Sequence, residues 1–158
     1  MVEVVLREIT PENFRECLSL QVEPWQAEFV ASNVKSLAEA RINPALFPLA
    51  IYDRAALGAP LGNHHMVGFT MYELIASVGF ILRLMIDKAC QRQGYGHAAM
   101  RESIRRLRLY PEVQLIATSH RRENVAAAKL YQGLGFQDWQ VPWQNPDPDE
   151  IYLVLHDE

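Results

Sequence analysis

The sequence has little cysteine, no long apolar run and no excess of positive charge. Only two cysteines occur among 158 residues, too few for the disulfide framework of a small secreted domain and without metal-ligand spacing. No run of about 18 apolar residues is present, and residues 1–10 carry Glu3, Arg7 and Glu8 in place of a signal peptide's apolar segment. These absences disfavour export, membrane insertion and a metal centre. They predict a cytoplasmic protein with reduced thiols.

Composition and charge narrow the class further. Hydrophobic residues make up 49% of the chain and charged residues 22%, values typical of a globular protein. The net charge of −4 does not supply the positive field that a phosphate backbone requires, so nucleic acid is not expected as a partner. At this length we expect one domain over residues 1–158, without a linker.

The hydrophobic pattern alternates between strand and helix periods. Residues 78–87 are nearly continuously apolar, which predicts a strand covered on both faces and therefore central in its sheet. The order is strand, two helices, three strands, helix, strand, helix and two strands, a mixed α/β sandwich. Strands are predicted over 2–9, 49–53, 66–74, 78–87, 113–119, 136–141 and 151–156, and helices near 14–18, 30–42, from 95 onward and over 124–134. The second and third strands form a hairpin with a long loop over 54–65.

A glycine-containing turn follows the central strand. Residues Gln91 to Gly96 read Gln-Arg-Gln-Gly-Tyr-Gly and precede an amphipathic helix. Gly94 and Gly96 permit a tight turn whose N–H groups converge, and the helix adds its positive end. The turn therefore predicts an anion site, most naturally for a pyrophosphate, although plain strand-to-helix turns also contain Gly-x-Gly. A Rossmann site fits poorly because it needs a third glycine and an early strand-turn-helix unit.

Two motifs resemble the GNAT superfamily of N-acetyltransferases. Gln91, Gly94 and Gly96 match its (Gln/Arg)-x-x-Gly-x-(Gly/Ala) signature, and residues 124–136 resemble a second motif in which an Asn contacts the cofactor and a Tyr faces its sulfur. The resemblance implies a central, mostly antiparallel sheet of about seven strands flanked by about four helices. It also implies acetyl-coenzyme A (acetyl-CoA) as co-substrate, with its pantetheine arm paired to the central strand. The cofactor residues are then Leu84, Met85, Ile86, Gln91, Arg92, Gln93, Gly94, Tyr95, Gly96, Asn124, Lys129 and Tyr131.

Residues 26–40 are similar to bacterial spermine/spermidine acetyltransferases associated with multidrug-efflux operons, and the similarity continues to Phe136. This family implies a polyamine or related small amine as acceptor, carboxylates in the acceptor groove and, as often in the superfamily, a homodimer. The central strand departs from the pattern, because Leu82 and Arg83 stand where acidic side chains are expected. A buried Arg83 requires a carboxylate or carbonyl partner. It either forms a structural ion pair or helps to select an acceptor that carries a carboxylate.

The chemistry requires a proton acceptor and a proton donor. A primary amine with a pKa of about 10.4 is almost wholly protonated near pH 7, so presenting the free amine costs ~4.6 kcal/mol. Glu73 is predicted to take this proton directly or through water, unless it is only a solvated strand-end charge. His120 is the alternative base, although a lone histidine there is more often structural. Tyr131 is predicted to protonate the departing coenzyme A (CoA) thiolate, with simple core packing as the alternative.

The sequence therefore predicts an acetyl-CoA-dependent N-acetyltransferase that acts on a small-molecule amine. Trp25 and Glu28 are predicted to line the acceptor mouth with Arg83, although surface roles are as compatible with their positions. No metal is assigned. Two other functions stay open: a catalytically idle acyl-CoA-binding module, and acetylation of a protein N-terminus or lysine, for which a wide groove open at both ends is expected.

Overall fold

Helices cover both faces of a seven-stranded sheet in the computed structural model, which describes residues 1–58 and 65–156. Its elements are β1 (Val4–Glu8), α1 (Phe14–Ser19), α2 (Asn33–Ile42), β2 (Leu46–Asp53), β3 (Met66–Ile75), β4 (Val78–Ile86), α3 (Tyr95–Leu107), β5 (Leu115–Arg121), α4 (Val125–Gly133), β6 (Phe136–Asp138) and β7 (Glu150–Leu155). The predicted element order is confirmed. No helix in the described part of the chain is both long and apolar enough to span a membrane.

The strand order is β1-β2-β3-β4-β5-β7-β6, which makes β4 central as predicted. All neighbouring strands are antiparallel except β4 and β5, which run parallel. The β4–β5 ladder covers only Val78–Ile81 on one strand and Leu115–Thr118 on the other. Beyond Ile81 the two strands separate, so the remainder of β4 keeps a free edge on that side.

Apolar side chains form one layer on each face of the sheet. The layer under α3 and α4 includes Met100 and Leu107, which are both 0% exposed. Burying such a side chain contributes about 1.5–3 kcal/mol, which fixes the amphipathic α3 on the sheet. The opposite layer, under α1 and α2, is built around Phe69 and Met71. Cys17 lies in this second layer as a free thiol, and Cys90 is also free.

A β-bulge changes which way the middle of β4 faces. Met71 pairs with Arg83 and Tyr72 with Ile81, so Leu82 has no partner on β3. Such a bulge lets two successive side chains share one face of the sheet. Leu82 packs into the layer under α1 and α2, and Arg83 reaches Glu39 on α2. Leu82 and Arg83, which stand where the polyamine acetyltransferase pattern has acidic residues, therefore lie on the face that α1 and α2 cover.

Several predicted boundaries were wrong by a few residues. β2 begins at Leu46 rather than 49 and runs through Pro48, because β1 ends opposite Leu49 and no ladder bond to β1 is lost at the proline. α2 begins at Asn33 rather than 30, since the Ser32 hydroxyl accepts from the Lys35 N–H at 3.1 Å and caps the helix. β5 runs from 115 to 121, and β6 ends at 138. Part of the predicted 54–65 loop lies outside the described residues.

Candidate active site

The separation of β4 from β5 opens a cleft of about 1150 Å³. At the last paired position the Thr118 hydroxyl donates to the Ile81 carbonyl at 2.8 Å, which holds the point where the strands part. Beyond it, the backbone groups on the β5 side of β4 have no neighbouring strand. The cleft extends from this free edge to the start of α3 in one direction and to β7 in the other.

The loop before α3 presents free backbone donors. Gly94 caps the helix with a φ of +91°, and Arg92 also has a positive φ of 63°. In residues 1–58 and 65–156, no hydrogen bond is formed by the backbone N–H groups from Arg92 to Gly96. These donors stand at the positive end of a 13-residue helix, so they suit a phosphate group.

Gln91 and Asn124 have local structural contacts as well as places in the cleft wall. The Gln91 side-chain amide donates to the Ile86 carbonyl at 2.9 Å and to Gln26 Oε1 at 2.8 Å. These bonds tie the loop from Gln91 to Gly96 to the end of β4. The Asn124 side chain accepts from the Ala127 N–H at 3.2 Å and caps α4. Both side chains therefore hold backbone in place at the end of the cleft near α3 and α4.

Most of the predicted cofactor residues come together, but two do not. Gln93 and Lys129 are exposed and lie outside the cleft wall. Gln93 comes directly after Arg92, whose φ is positive, and Lys129 lies on the outer face of α4. The predicted residues in the wall are Leu84, Met85, Ile86, Gln91, Arg92, Gly94, Tyr95, Gly96, Asn124 and Tyr131.

Tyr131 is both a core residue and a cleft residue. Its side chain is 5% exposed, and its ring packs against His120 and Phe136 with centroid distances of 6.1 and 6.0 Å. Burial outweighs the effect of the neighbouring Thr118, at the point where β4 and β5 part, which lowers the pKa of this hydroxyl. Burial raises the pKa of Tyr131 to about 12, and the nearby Glu150 charge adds to the increase. The phenol is therefore protonated at neutral pH.

Arg83 forms the ion pair that its burial requires. Its guanidinium donates to Glu39 on α2 at 3.2 Å, and its side chain is only 14% exposed. Its Nε is buried without a hydrogen-bond partner. Lys35 also approaches Glu39 at 4.0 Å, so the carboxylate is shared between two cations. Arg83 thus combines a structural ion pair with an unused donor beside the cleft.

The other predicted acceptor residues are dispersed. Glu28 lines the cleft, whereas Trp25 is 60% exposed and borders a separate pocket with Arg92. Glu73 lines the cleft, but Asn43 donates to one of its oxygens at 3.2 Å. In register Glu73 lies opposite Phe80, four residues before Leu84. That offset corresponds to about 13 Å along the strand.

Sequence reasoning missed the wall that β7 and its preceding loop provide. Trp143, Asp147, Glu150 and Tyr152 all line the cleft. Residues 142–150 connect the predicted strands 136–141 and 151–156 and contain several prolines and aspartates, so no site was predicted there. The available signal was the alternation at the start of β7, which places Glu150 and Tyr152 on one face.

The chain matches the acetyltransferase (GNAT) family over residues 8–136. It belongs to this family. The probable spermine N(1)-acetyltransferase of Bacillus subtilis subsp. natto (strain BEST195) is 26% identical over 144 residues, which cover 86% of this chain and 89% of the relative. The resemblance to the GNAT superfamily and the enzyme class predicted from the sequence are thereby confirmed: the chain is a GNAT acetyltransferase.

Solved structures confirm the predicted GNAT fold. Spermidine N-acetyltransferase from Vibrio cholerae, in complex with CoA and spermine, has a TM-score of 0.69 at 13% identity, with 96% of this chain and 93% of that chain covered. PaiA N-acetyltransferase from Thermoplasma acidophilum, in complex with coenzyme A, has a TM-score of 0.68 at 13% identity, with 98% and 99% covered. At these identities the likeness concerns the fold.

Proposed function

We propose that this GNAT acetyltransferase transfers the acetyl group of acetyl-CoA to the primary amine of a small molecule. One observation carries the proposal. The free edge of β4 beyond Ile81 and the unpaired N–H groups from Arg92 to Gly96 lie in the same cleft. An extended, amide-containing arm can add to a free strand edge, and its phosphates can bind at a helix N-terminus.

The residues present suit CoA. Backbone N–H groups from Arg92 to Gly96 would hold the pyrophosphate, and backbone groups of Leu84, Met85 and Ile86 would pair with the pantetheine arm. Bound there, acetyl-CoA would supply the activated acetyl group. Two of the solved relatives contain coenzyme A, which supports this choice.

The chain's own residues supply the remaining chemistry. A free backbone N–H on β4 near Leu84 to Ile86 would stabilise negative charge on the reacting carbonyl oxygen. Tyr131, protonated at neutral pH and held at the start of the separation, would donate a proton to the departing thiolate. This role distinguishes an enzyme from an idle binding module. Glu73 as proton acceptor stays a prediction.

The acceptor part of the cleft has mixed charge. Its carboxylates are Glu28, Glu73, Asp147 and Glu150, and its cations are Lys35, Arg83 and Arg121. A polyamine carries only positive charges, so the cations oppose its binding. We therefore propose that the preferred acceptor is an amine that also carries a carboxylate, which Arg83 Nε would bind.

Calorimetry and a turnover screen test the proposal. CoA and acetyl-CoA should bind with similar affinity, because the pyrophosphate and the pantetheine arm make most of the contacts. Failure of both to bind at millimolar concentration contradicts the cofactor assignment. Acetyl-CoA turnover should then be measured with spermidine, spermine, small diamines, amino acids and a peptide N-terminus. Binding without turnover of any amine would favour the idle module.

A further inference from the structure

One buried carboxylate oxygen in the cleft has no partner. Among the described residues, the buried side-chain atoms without a hydrogen bond are Ser36 Oγ, Arg83 Nε and Glu150 Oε2. Leaving a carboxylate oxygen buried and unpaired is unfavourable for folding. Glu150 lines the cleft, so an incoming donor can supply the missing hydrogen bond.

The register of β5 and β7 places Glu150 across the separation from Tyr131. Glu150 lies opposite Arg121, and Tyr152 lies opposite Ser119, so these four side chains share one face of the sheet. The alternate residues of β5 include His120, whose ring packs against Tyr131 on α4 at a centroid distance of 6.1 Å. The Glu150 charge contributes to the raised pKa of Tyr131, so the two groups are within electrostatic reach.

Three aromatic rings stand beside Glu150. Trp143 meets Tyr152 at a centroid distance of 5.4 Å and Phe80 at 6.3 Å, and Phe80 meets Tyr152 at 6.4 Å. All three line the cleft. Aromatic rings attract a cation to their faces and pack against an alkyl chain. Together with a carboxylate they suit an alkylammonium group.

We propose that Glu150 removes the proton from the acceptor's ammonium group, in a subsite walled by Phe80, Trp143 and Tyr152. The inference rests on the proposed function. The ammonium gives one proton to the Glu150 carboxylate, which later releases it to solvent. As the free amine attacks, the C–N bond forms and the C–S bond breaks. The nitrogen loses its second proton to solvent as the C–S bond breaks, and the tyrosinate left when Tyr131 protonates the thiolate takes one proton back from solvent.

The environment of Glu150 supports this role better than that of Glu73. Burial is the main cause that raises the Glu150 pKa, and the Asp147 charge adds to it, while Arg121, Ser119 and His120 lower it. A carboxyl pKa moved toward neutrality suits a proton acceptor. Glu73 has one oxygen bonded to Asn43, and its register partner Phe80 lies in the part of β4 that is still paired with β5.

The melting temperature distinguishes a catalytic role of Glu150 from a purely structural one. Because folding raises the Glu150 pKa, the folded state favours the protonated carboxyl. Its contribution is most favourable below the unfolded pKa and is lost as the pH rises through the folded pKa. At neutral pH the charge is therefore unfavourable. Glu150→Gln should leave the melting temperature unchanged or higher, whereas a structural partner of Arg121 would lower it.

The decisive experiment compares Glu150→Gln with its control Asp149→Asn, and with Glu73→Gln as the competing proton acceptor, using the acceptor found in the turnover screen. Asp149 also approaches Arg121, but it is largely exposed and lies outside the cleft wall. We expect kcat/KM to fall about 100-fold in Glu150→Gln, with unchanged acetyl-CoA affinity. The Asp149→Asn control should stay within about threefold of wild type, and Glu73→Gln should lose less kcat/KM than Glu150→Gln.

The pH profile completes the test. In the wild type the acid limb of the kcat/KM pH profile should report the titration of Glu150. The charged and titratable groups around Glu150 are His120, Arg121, Asp147 and Tyr131. In Glu150→Gln the rate should instead rise with pH in proportion to the free amine. Near-wild-type turnover of Glu150→Gln, or an equal loss in Glu73→Gln, overturns the inference. A wild type that binds CoA but acetylates no amine overturns the proposed function itself.

Discussion

The two ends of the cleft are built in different ways. The end that we propose to bind CoA consists mainly of backbone groups from two neighbouring stretches of chain, the free edge of β4 and the loop from Gln91 to Gly96. The acceptor end consists of side chains from separate elements, including Arg83 on β4, Arg121 on β5 and Glu150 on β7. The first is local and carries few charges. The second is assembled across the sheet and carries charges of both signs.

This difference separates what the family shares from what this chain can vary. Backbone N–H groups bind a phosphate whatever the neighbouring side chains are, provided that the turn forms. An acceptor is recognised by side chains, and one substitution there changes which charges are paired. Leu82 and Arg83 show such a change, because the bulge turns both toward the face that α1 and α2 cover.

The largest expected effect lies where the two ends meet, at Tyr131. Tyr131→Phe keeps the ring and its packing against His120 and removes only the hydroxyl. The turnover number should fall about 10²-fold or more, which corresponds to ~2.7 kcal/mol of barrier. Acetyl-CoA affinity should change little. Steady-state kinetics, calorimetry and melting curves on the same variant measure these quantities.

A tyrosine that serves only the core gives the opposite pattern. Turnover would then stay within about threefold of wild type under chemistry-limited conditions. Stability would fall by at most about 1 kcal/mol, the usual net contribution of one hydroxyl hydrogen bond. That result would remove Tyr131 from the mechanism and strengthen the idle-module alternative.

The second-largest effect is expected on CoA affinity when a glycine of the loop from Gln91 to Gly96 is replaced. At Gly94 the φ of +91° disfavours any β-branched residue, and an added Cβ would lie 2.9 Å from Val2. Gly94→Val should distort the turn and weaken CoA binding by more than about tenfold, or ~1.4 kcal/mol. Calorimetry with CoA measures the loss.

Gly96→Ala is the matched control at this end. Its Cβ would lie 3.5 Å from Leu130, an ordinary contact, and alanine favours a helix over glycine by about 1 kcal/mol. The melting temperature should therefore hold or rise, with a smaller loss of CoA affinity than in Gly94→Val. Equal CoA affinity in both variants and the wild type would show that the loop does not bind the phosphates.

The smallest effect concerns acceptor choice. The wild type should prefer amino-acid-like amines to spermine, and Arg83→Gln should shift the kcat/KM ratio toward spermine by about fivefold, or ~1 kcal/mol. Lys35→Gln is the control, because Lys35 also lines the cleft and approaches Glu39 but is 67% exposed. Turnover of spermine by the wild type at least as fast as of amino-acid-like amines would end the carboxylate-acceptor proposal.

Prediction from the sequence succeeded where a feature depends on neighbouring residues. The turn from Gln91 to Gly96 is local, and its glycines, the apolar strand before it and the amphipathic helix after it are adjacent in the chain. The outward orientation of the Gln93 and Lys129 side chains, which share motifs with cleft residues, could not be predicted in this way. Within a motif, the tertiary structure decides which side chains reach the ligand.

Hydrophobic period and turn chemistry by themselves determined the element order, the central position of β4 and the turn from Gln91 to Gly96, since these follow from contacts between nearby residues. Only the tertiary structure decided where β4 and β5 part, which carboxylate neutralises Arg83 and which oxygen is left without a partner. Glu39 precedes Arg83 by 44 positions, and Glu150 lies beyond a long loop. Such pairings depend on strand register and on a bulge, which no local pattern in this sequence specifies.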